Sequence, residues 1–163
     1  MMHIRDARLE DAAAACAVIR RSIIELCVLD HHHDPAILER WLANKTPAQV
    51  AGWMGRADHP VLVAIEDGAI LAVGAVRASG EVTLNYVSPD ARFRGVSRAL
   101  LAALEQRASA LGAERCWLNS TETARRFYRS AGYVDEGPPK PGYRADVVYP
   151  MIKRLPPDSQ PTN

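Results

Sequence analysis

Apolar positions fall in two rhythms along the chain. From Glu10 onward, Ala12, Cys16, Ile19, Ile23 and Leu26 recur in steps of four and three, which predicts an amphipathic helix with one buried stripe. Asp6, Glu10 and Asp11 stand at its start, where acids favour the helix dipole. Asp34-Pro35 predicts the start of a second helix carrying Ile37, Leu38, Trp41 and Leu42, with proline in its first turn. The run from Asn44 to Pro47 breaks it, and residues 48–54 suit one or two further turns. The rhythm then shortens. Apolar runs at residues 61–65 and 69–76 flank Glu66-Asp67-Gly68, and Asp-Gly between such runs predicts a hairpin. Ser79-Gly80 turns the chain into a strand over residues 81–87, where Val82, Leu84 and Tyr86 alternate with Glu81, Thr83 and Asn85. Three strands with tight turns make an antiparallel meander, buried on at least one face.

Helical spacing returns with Val96, Leu100, Leu104, Ala108 and Leu111, closed by Gly112. A strand at residues 114–118 follows. Strand, long helix and strand form a crossover, so this strand is expected parallel to the one ending at Val87. Thr121 can cap a helix containing Ala124, Phe127, Tyr128 and Ala131 and ended by Gly132. A short first strand is expected at residues 3–7 and two last ones at 133–136 and 144–153. Residues 1–155 are expected to form a single domain, and the Pro-rich residues 156–163 a disordered tail.

Composition narrows the classes of function. The 163 residues suffice for one full core; 48% are hydrophobic and 24% charged, as in soluble globular proteins. A formal charge of +1 offers no basic field for nucleic acid. No apolar run approaches the roughly 20 residues that span a bilayer, and the first eight residues lack the apolar core of a signal peptide. Cys16, Cys27 and Cys116 have no metal-ligand spacing, and Cys16 and Cys116 suit small core residues in a reducing compartment. Cytoplasm is the expected location. The run His31-His32-His33 invites a metal, but adjacent histidines cannot all face one ion without a specially shaped loop. No nearby Cys or Glu completes a zinc spacing, so no metal is expected.

The chemistry lies between Val87 and the long helix. The loop carries Arg92, Arg94, Arg98 and Gly95. A strand feeding such a loop into a helix start leaves backbone N–H groups unpaired and adds the positive end of the dipole, a setting for phosphate or pyrophosphate. The loop lacks the Lys-Ser/Thr pair of a nucleoside-triphosphate loop and the three spaced glycines of a dinucleotide fold.

Arg92-Phe93-Arg94-Gly95-Val96-Ser97, after Val87-Ser88-Pro89, resembles the acyl-CoA-binding signature Gln/Arg-x-x-Gly-x-Gly/Ala of the GCN5-related N-acetyltransferases (GNAT), with Ser97 where Gly or Ala is usual. A second stretch resembles that family's later motif, Asn-x-x-Ala-x-x-Phe/Leu-Tyr-x-x-x-Gly-Phe/Tyr. Ala124, Phe127, Tyr128, Gly132 and Tyr133 match it, and Thr121 replaces the Asn, with Asn119 close by. Residues 149–153 resemble the family's last strand, so the similarity spans nearly the whole chain.

The resemblance implies an α/β (α+β) fold: a mixed, mostly antiparallel central sheet with helices on both faces, its fourth and fifth strands parallel and splayed. It implies acetyl-CoA as co-substrate, held by Tyr86, Val87, Arg92, Phe93, Arg94, Gly95, Val96, Ser97 and Arg98, and by Asn119, Thr121, Phe127 and Tyr128. Val87 N–H would meet the acetyl carbonyl. Tyr128 matches the family's general acid, with holding the sulfur as its other role. Glu81 occupies the position of a carboxylate base, with ordered water, His31 and His32 as alternatives. In the family the connection between the first two helices borders the acceptor pocket, which makes Asp30, His31 and His32 substrate-facing. The implied activity is acetyl transfer to a primary amine of a small molecule or protein by direct attack in a ternary complex. Its rival is a non-catalytic acyl-CoA sensor of the same fold. Neither nucleic acid nor membrane is an expected partner; a homodimer partner could help shape the pocket.

Overall fold

The structure is a computed structural model that describes residues 1–142 and 146–157. Strand β1 (His3–Asp6) leads into helix α1 (Ala12–Leu26), whose stripe of Ala12, Cys16, Ile19 and Ile23 is buried. A single turn, α2 (Val28–His31), which the spacing did not predict, connects it to α3 (Pro35–Leu42). Helix α4 (Pro47–Trp53) follows. Asp34 and Thr46 cap these last two helices by accepting from Ala36 N–H at 2.9 Å and Gln49 N–H at 3.2 Å.

Strands β2 (Val61–Glu66), β3 (Ala69–Val76) and β4 (Val82–Val87) join β1 in an antiparallel sheet of order β1-β2-β3-β4. Asp67 and Gly68 both adopt positive φ, 51° and 78°, the left-handed pair of a tight hairpin. Helix α5 (Val96–Ala110) covers one face of this sheet with Leu100, Leu101 and Leu104. The other face packs Val63 and Val73 against Ile19, Ile23, Trp41 and Val50 of the N-terminal helices. Each such side chain gains roughly 1.5–3 kcal/mol from burial.

The expected central sheet is divided. Strand β5 (Arg115–Ser120) belongs to a second antiparallel sheet with β8 (Val147–Arg154) and the two-residue β6 (Val134–Asp135), in the order β5-β8-β6. A short β7 (Lys140–Pro141) also pairs with β8, and α6 (Arg125–Ser130) links β5 to β6. The sheets meet at one parallel bridge, Glu81 with Trp117, where Trp117 N–H donates to Gly80 O at 3.1 Å. Gly80 has φ 97°, and a Cβ there would run into the Arg115 carbonyl, so only glycine lets the two chains come this close.

A bulge corrects the simple alternation expected in β4. Leu84 pairs with Ala75 but Val82 with Val76, so Thr83 is an extra residue in the ladder. Val82 and Val87 pack toward α5, whereas Leu84 and Tyr86 pack toward α1. The expected start of the last strand at Arg144 and most of the expected tail (158–163) lie outside the described residues. Among the described residues no helix is long and apolar enough to cross a membrane.

Candidate active site

Beyond the Glu81–Trp117 bridge the two strands part, and a cleft of about 700 Å³ opens between them. Its walls are two bare strand edges. Ser88 N–H donates to Leu71 O of β3 at 2.7 Å, and N–H groups alternate sides along an extended strand, so those of Val87 and Asn85 face away from β3, toward the cleft. On β5 the Trp117 N–H points to Gly80, which puts the Asn119 N–H on the same edge.

One end of the cleft is the start of α5. Gly95 is the N-cap residue with φ 75°, and among the described residues no side chain caps the helix. Helix geometry leaves the N–H groups of Val96, Ser97 and Arg98 without intrahelical acceptors, and all three residues line the cleft. A Cβ on Gly95 would meet nothing within 4 Å, so the space beside this residue is open. The preceding loop is shaped by Phe93, which takes φ 62° and is 91% exposed, with the Arg92 guanidinium 4.5 Å from its ring centre. Open donors, the helix dipole, Arg92 and Arg98 make this end suited to a diphosphate. The Arg98 guanidinium also donates to Ser130 Oγ at 2.9 Å, tying α5 to α6.

Deeper in the cleft stands Tyr128, on α6 and buried against the Phe127 and Tyr133 rings. Asn85 Nδ2 donates to its hydroxyl at 3.1 Å, so the O–H proton is free to point elsewhere. Burial pushes its pKa up to about 12; the Asn85 bond partly offsets this and Cys27 adds to it. The group is therefore a proton donor across the physiological range. Thr121 Oγ1 accepts from Ala124 N–H at 3.1 Å and so shapes the turn into α6.

Of the sequence-predicted residues, Glu81, Tyr86, Val87, Arg92, Phe93 and Gly95 line the cleft. So do Val96, Ser97, Arg98, Asn119, Thr121, Phe127 and Tyr128. Four others do not. The Arg94 guanidinium turns away to Glu66 Oε1 at 2.7 Å. Asp30 is buried, and its carboxylate accepts from Glu122 N–H (2.6 Å), Thr123 N–H (3.2 Å) and Thr123 Oγ1 (2.6 Å). His31 is fully buried: Nδ1 accepts from His33 N–H at 3.0 Å, so Nε2–H donates to the carbonyls of Ile23 (3.0 Å) and Ile24 (3.1 Å) at the end of α1. His32 is exposed with φ 50° and caps α2. Asp30, His31 and His32, expected to face substrate, do not line this cleft, and the polar atoms of Asp30 and His31 are engaged inside the fold.

On the side toward α1 the cleft is lined by residues that no motif marked: Ser22, Cys27, Lys45, Thr83 and Leu84. Lys45 Nζ donates to Asn44 Oδ1 at 2.6 Å and lies 5.9 Å from the Trp53 ring centre. Tyr86 also turns to this side, its hydroxyl accepting from Trp41 Nε1 at 3.2 Å. The Glu81 carboxylate is 3.3 Å from Arg77 Nε. Nothing in the local sequence announced this wall, because it depends on the β4 bulge and on how α1 packs.

Residues 28–154 match the family model described as an acetyltransferase (GNAT) domain. No curated protein matches the chain in sequence. Among solved structures, a GCN5-related N-acetyltransferase from Rhodopseudomonas palustris is 26% identical, with a TM-score of 0.82 over 94% of this chain and 95% of that one. PaiA N-acetyltransferase from Thermoplasma acidophilum, in complex with coenzyme A, is 18% identical, with a TM-score of 0.79 over 94% and 99%. An aminoglycoside 6'-N-acetyltransferase complexed with coenzyme A has 13% identity and a TM-score of 0.71 over 97% and 99%, a likeness of fold.

Proposed function

The chain belongs to the GNAT family of acetyltransferases, and from that premise we propose that it transfers the acetyl group of acetyl-CoA to a primary amine by direct attack within a ternary complex. Acetyl-CoA would supply the activated acyl group. The observation that carries the proposal is one cleft holding both an uncapped helix start and a buried, protonated phenol.

The N–H groups of Val96, Ser97 and Arg98 would hold the pyrophosphate, with Arg92 adding a charge-assisted bond. Val87 N–H would stabilise charge developing on the acyl oxygen, a role typically worth about 3 kcal/mol. Tyr128 would deliver its proton to the departing sulfur while Asn85 fixes its oxygen. Glu81, lining the same cleft, would accept a hydrogen bond from the neutral amine and so help orient it. Two of the similar structures contain coenzyme A, which supports the cofactor half of this scheme.

The test is release of coenzyme A thiol from acetyl-CoA in the presence of a panel of alkylamines, arylalkylamines, polyamines and peptide amino groups. Amine-dependent release with at least one class is expected. Tight acetyl-CoA binding without release for any amine would favour the sensor instead.

A further inference from the structure

We propose that the proton shed by the attacking amine leaves the cleft through the Thr83 hydroxyl to the imidazole of His59, which passes it to solvent. This rests on the acetyltransferase assignment above and adds an exit route for the proton that the assignment left open.

Thr83 is the residue that the bulge inserts into β4, and it lines the cleft. His59 stands two residues before β2, and its Nε2 lies 2.6 Å from Thr83 Oγ1. The nearest other partner of that hydroxyl, Ala75 O, is 3.5 Å away, at the outer limit of a hydrogen bond. The short contact is therefore the one to the ring. With the hydroxyl donating to Nε2, Thr83 Oγ1 keeps a lone pair for an N–H in the cleft. A hydroxyl between an amine and an imidazole is a one-step proton wire.

The surroundings of His59 suit a transient acceptor. Its ring is half-buried, and burial is the main effect disfavouring the imidazolium; Arg77 from the end of β3 and Arg56 from its own turn add to this, while Asp58 opposes. The ring is thus neutral near pH 7 and releases an acquired proton readily. Glu81 reaches this cluster through its ion pair with Arg77, so its carboxylate is already shared with a cation.

In the step itself, the amine nitrogen forms a bond to the thioester carbonyl carbon, and the C–S bond breaks with its electron pair going to sulfur. Sulfur takes the Tyr128 proton. One N–H proton moves to Thr83 Oγ1 as the Thr83 hydroxyl proton moves to His59 Nε2. The imidazolium then loses a proton to water and the Tyr128 phenolate regains one, so the protein returns to its starting state.

The experiment measures kcat/KM against pH for wild type, His59→Gln, Thr83→Val and the double variant, with acetyl-CoA and whichever amine of the panel turns over fastest. Calorimetric acetyl-CoA affinity and thermal melting are measured alongside. Glutamine can still donate to Thr83 Oγ1, so it preserves a purely structural contact but cannot take up a proton. Expected are losses of about 100-fold or more for each single variant at pH 7 and no further loss in the double variant. The acidic limb, centred below the ordinary histidine value of about 6.5, should disappear in His59→Gln while acetyl-CoA affinity stays unchanged. His59→Gln activity within about threefold of wild type, with the limb intact, would overturn the route while leaving the acetyltransferase assignment standing. Loss of the limb in Glu81→Gln but not in His59→Gln would do the same. Absence of turnover by wild type with every amine would overturn both.

Discussion

The start of α5 and the connection from α1 to α3 are both polar turns leading into helices, yet they treat their hydrogen-bonding groups in opposite ways. At α5 the N-cap is Gly95, with no side chain to offer, and three backbone donors open onto the cleft. In the connection Asp34 caps α3, His31 uses both ring nitrogens within the fold, and Asp30 accepts three bonds from the turn before α6. Buried polar groups are costly to leave unmade. Donors left open toward a cleft are therefore where a ligand can bind, and fully satisfied ones are scaffold. The comparison explains why a histidine-rich stretch between the first helices does not line the cleft.

Three substitutions sharpen or break it, in descending order of effect. Tyr128→Phe removes one hydroxyl and keeps the ring packing, so kcat should fall by roughly 10²–10⁴-fold while acetyl-CoA affinity barely changes. Because burial raises this pKa to about 12, the donor form persists as pH rises, and wild-type activity should show no basic limb from Tyr128 below that value. Steady-state kinetics across pH checks both points; full activity in the Phe variant would return Tyr128 to the core. Asp30→Ala strands the Glu122 and Thr123 donors and should lower unfolding free energy by about 1–3 kcal/mol in urea titrations. It should leave acceptor preference unaltered; a change in preference at unchanged stability would reverse the contrast between the two turns. His32→Gly, at an exposed left-handed position, should shift stability by less than about 1 kcal/mol and leave kinetics alone.

Much of the fold was legible because its signals are local. The stripe of α1, the Asp67-Gly68 turn and the Pro35 and Pro47 helix starts all follow from residue spacing and turn chemistry. The loop before α5 was equally visible, since Arg92 to Arg98 form one continuous stretch, although the Arg94 guanidinium turns away to Glu66. The wall toward α1 was not: Thr83 is the extra residue of the β4 bulge, and Lys45 and Cys27 reach the cleft only through tertiary packing. The partners of Asp30 were hidden for a related reason: they lie some ninety residues away on the β5–α6 turn, and no spacing rule reports them.

On the proposal above, the uncapped start of α5 holds acetyl-CoA. Calorimetric titration of acetyl-CoA into wild type and Gly95→Glu tests this, because the new side chain meets no atom within 4 Å of its Cβ and adds a negative charge beside the donors proposed to hold the pyrophosphate. The φ of 75° adds local strain without touching the core. Saturable one-site binding to wild type is expected, with a loss of at least about 100-fold, roughly 2.7 kcal/mol, in a Gly95→Glu protein that still melts cooperatively. Equal affinity in the two folded proteins would contradict it.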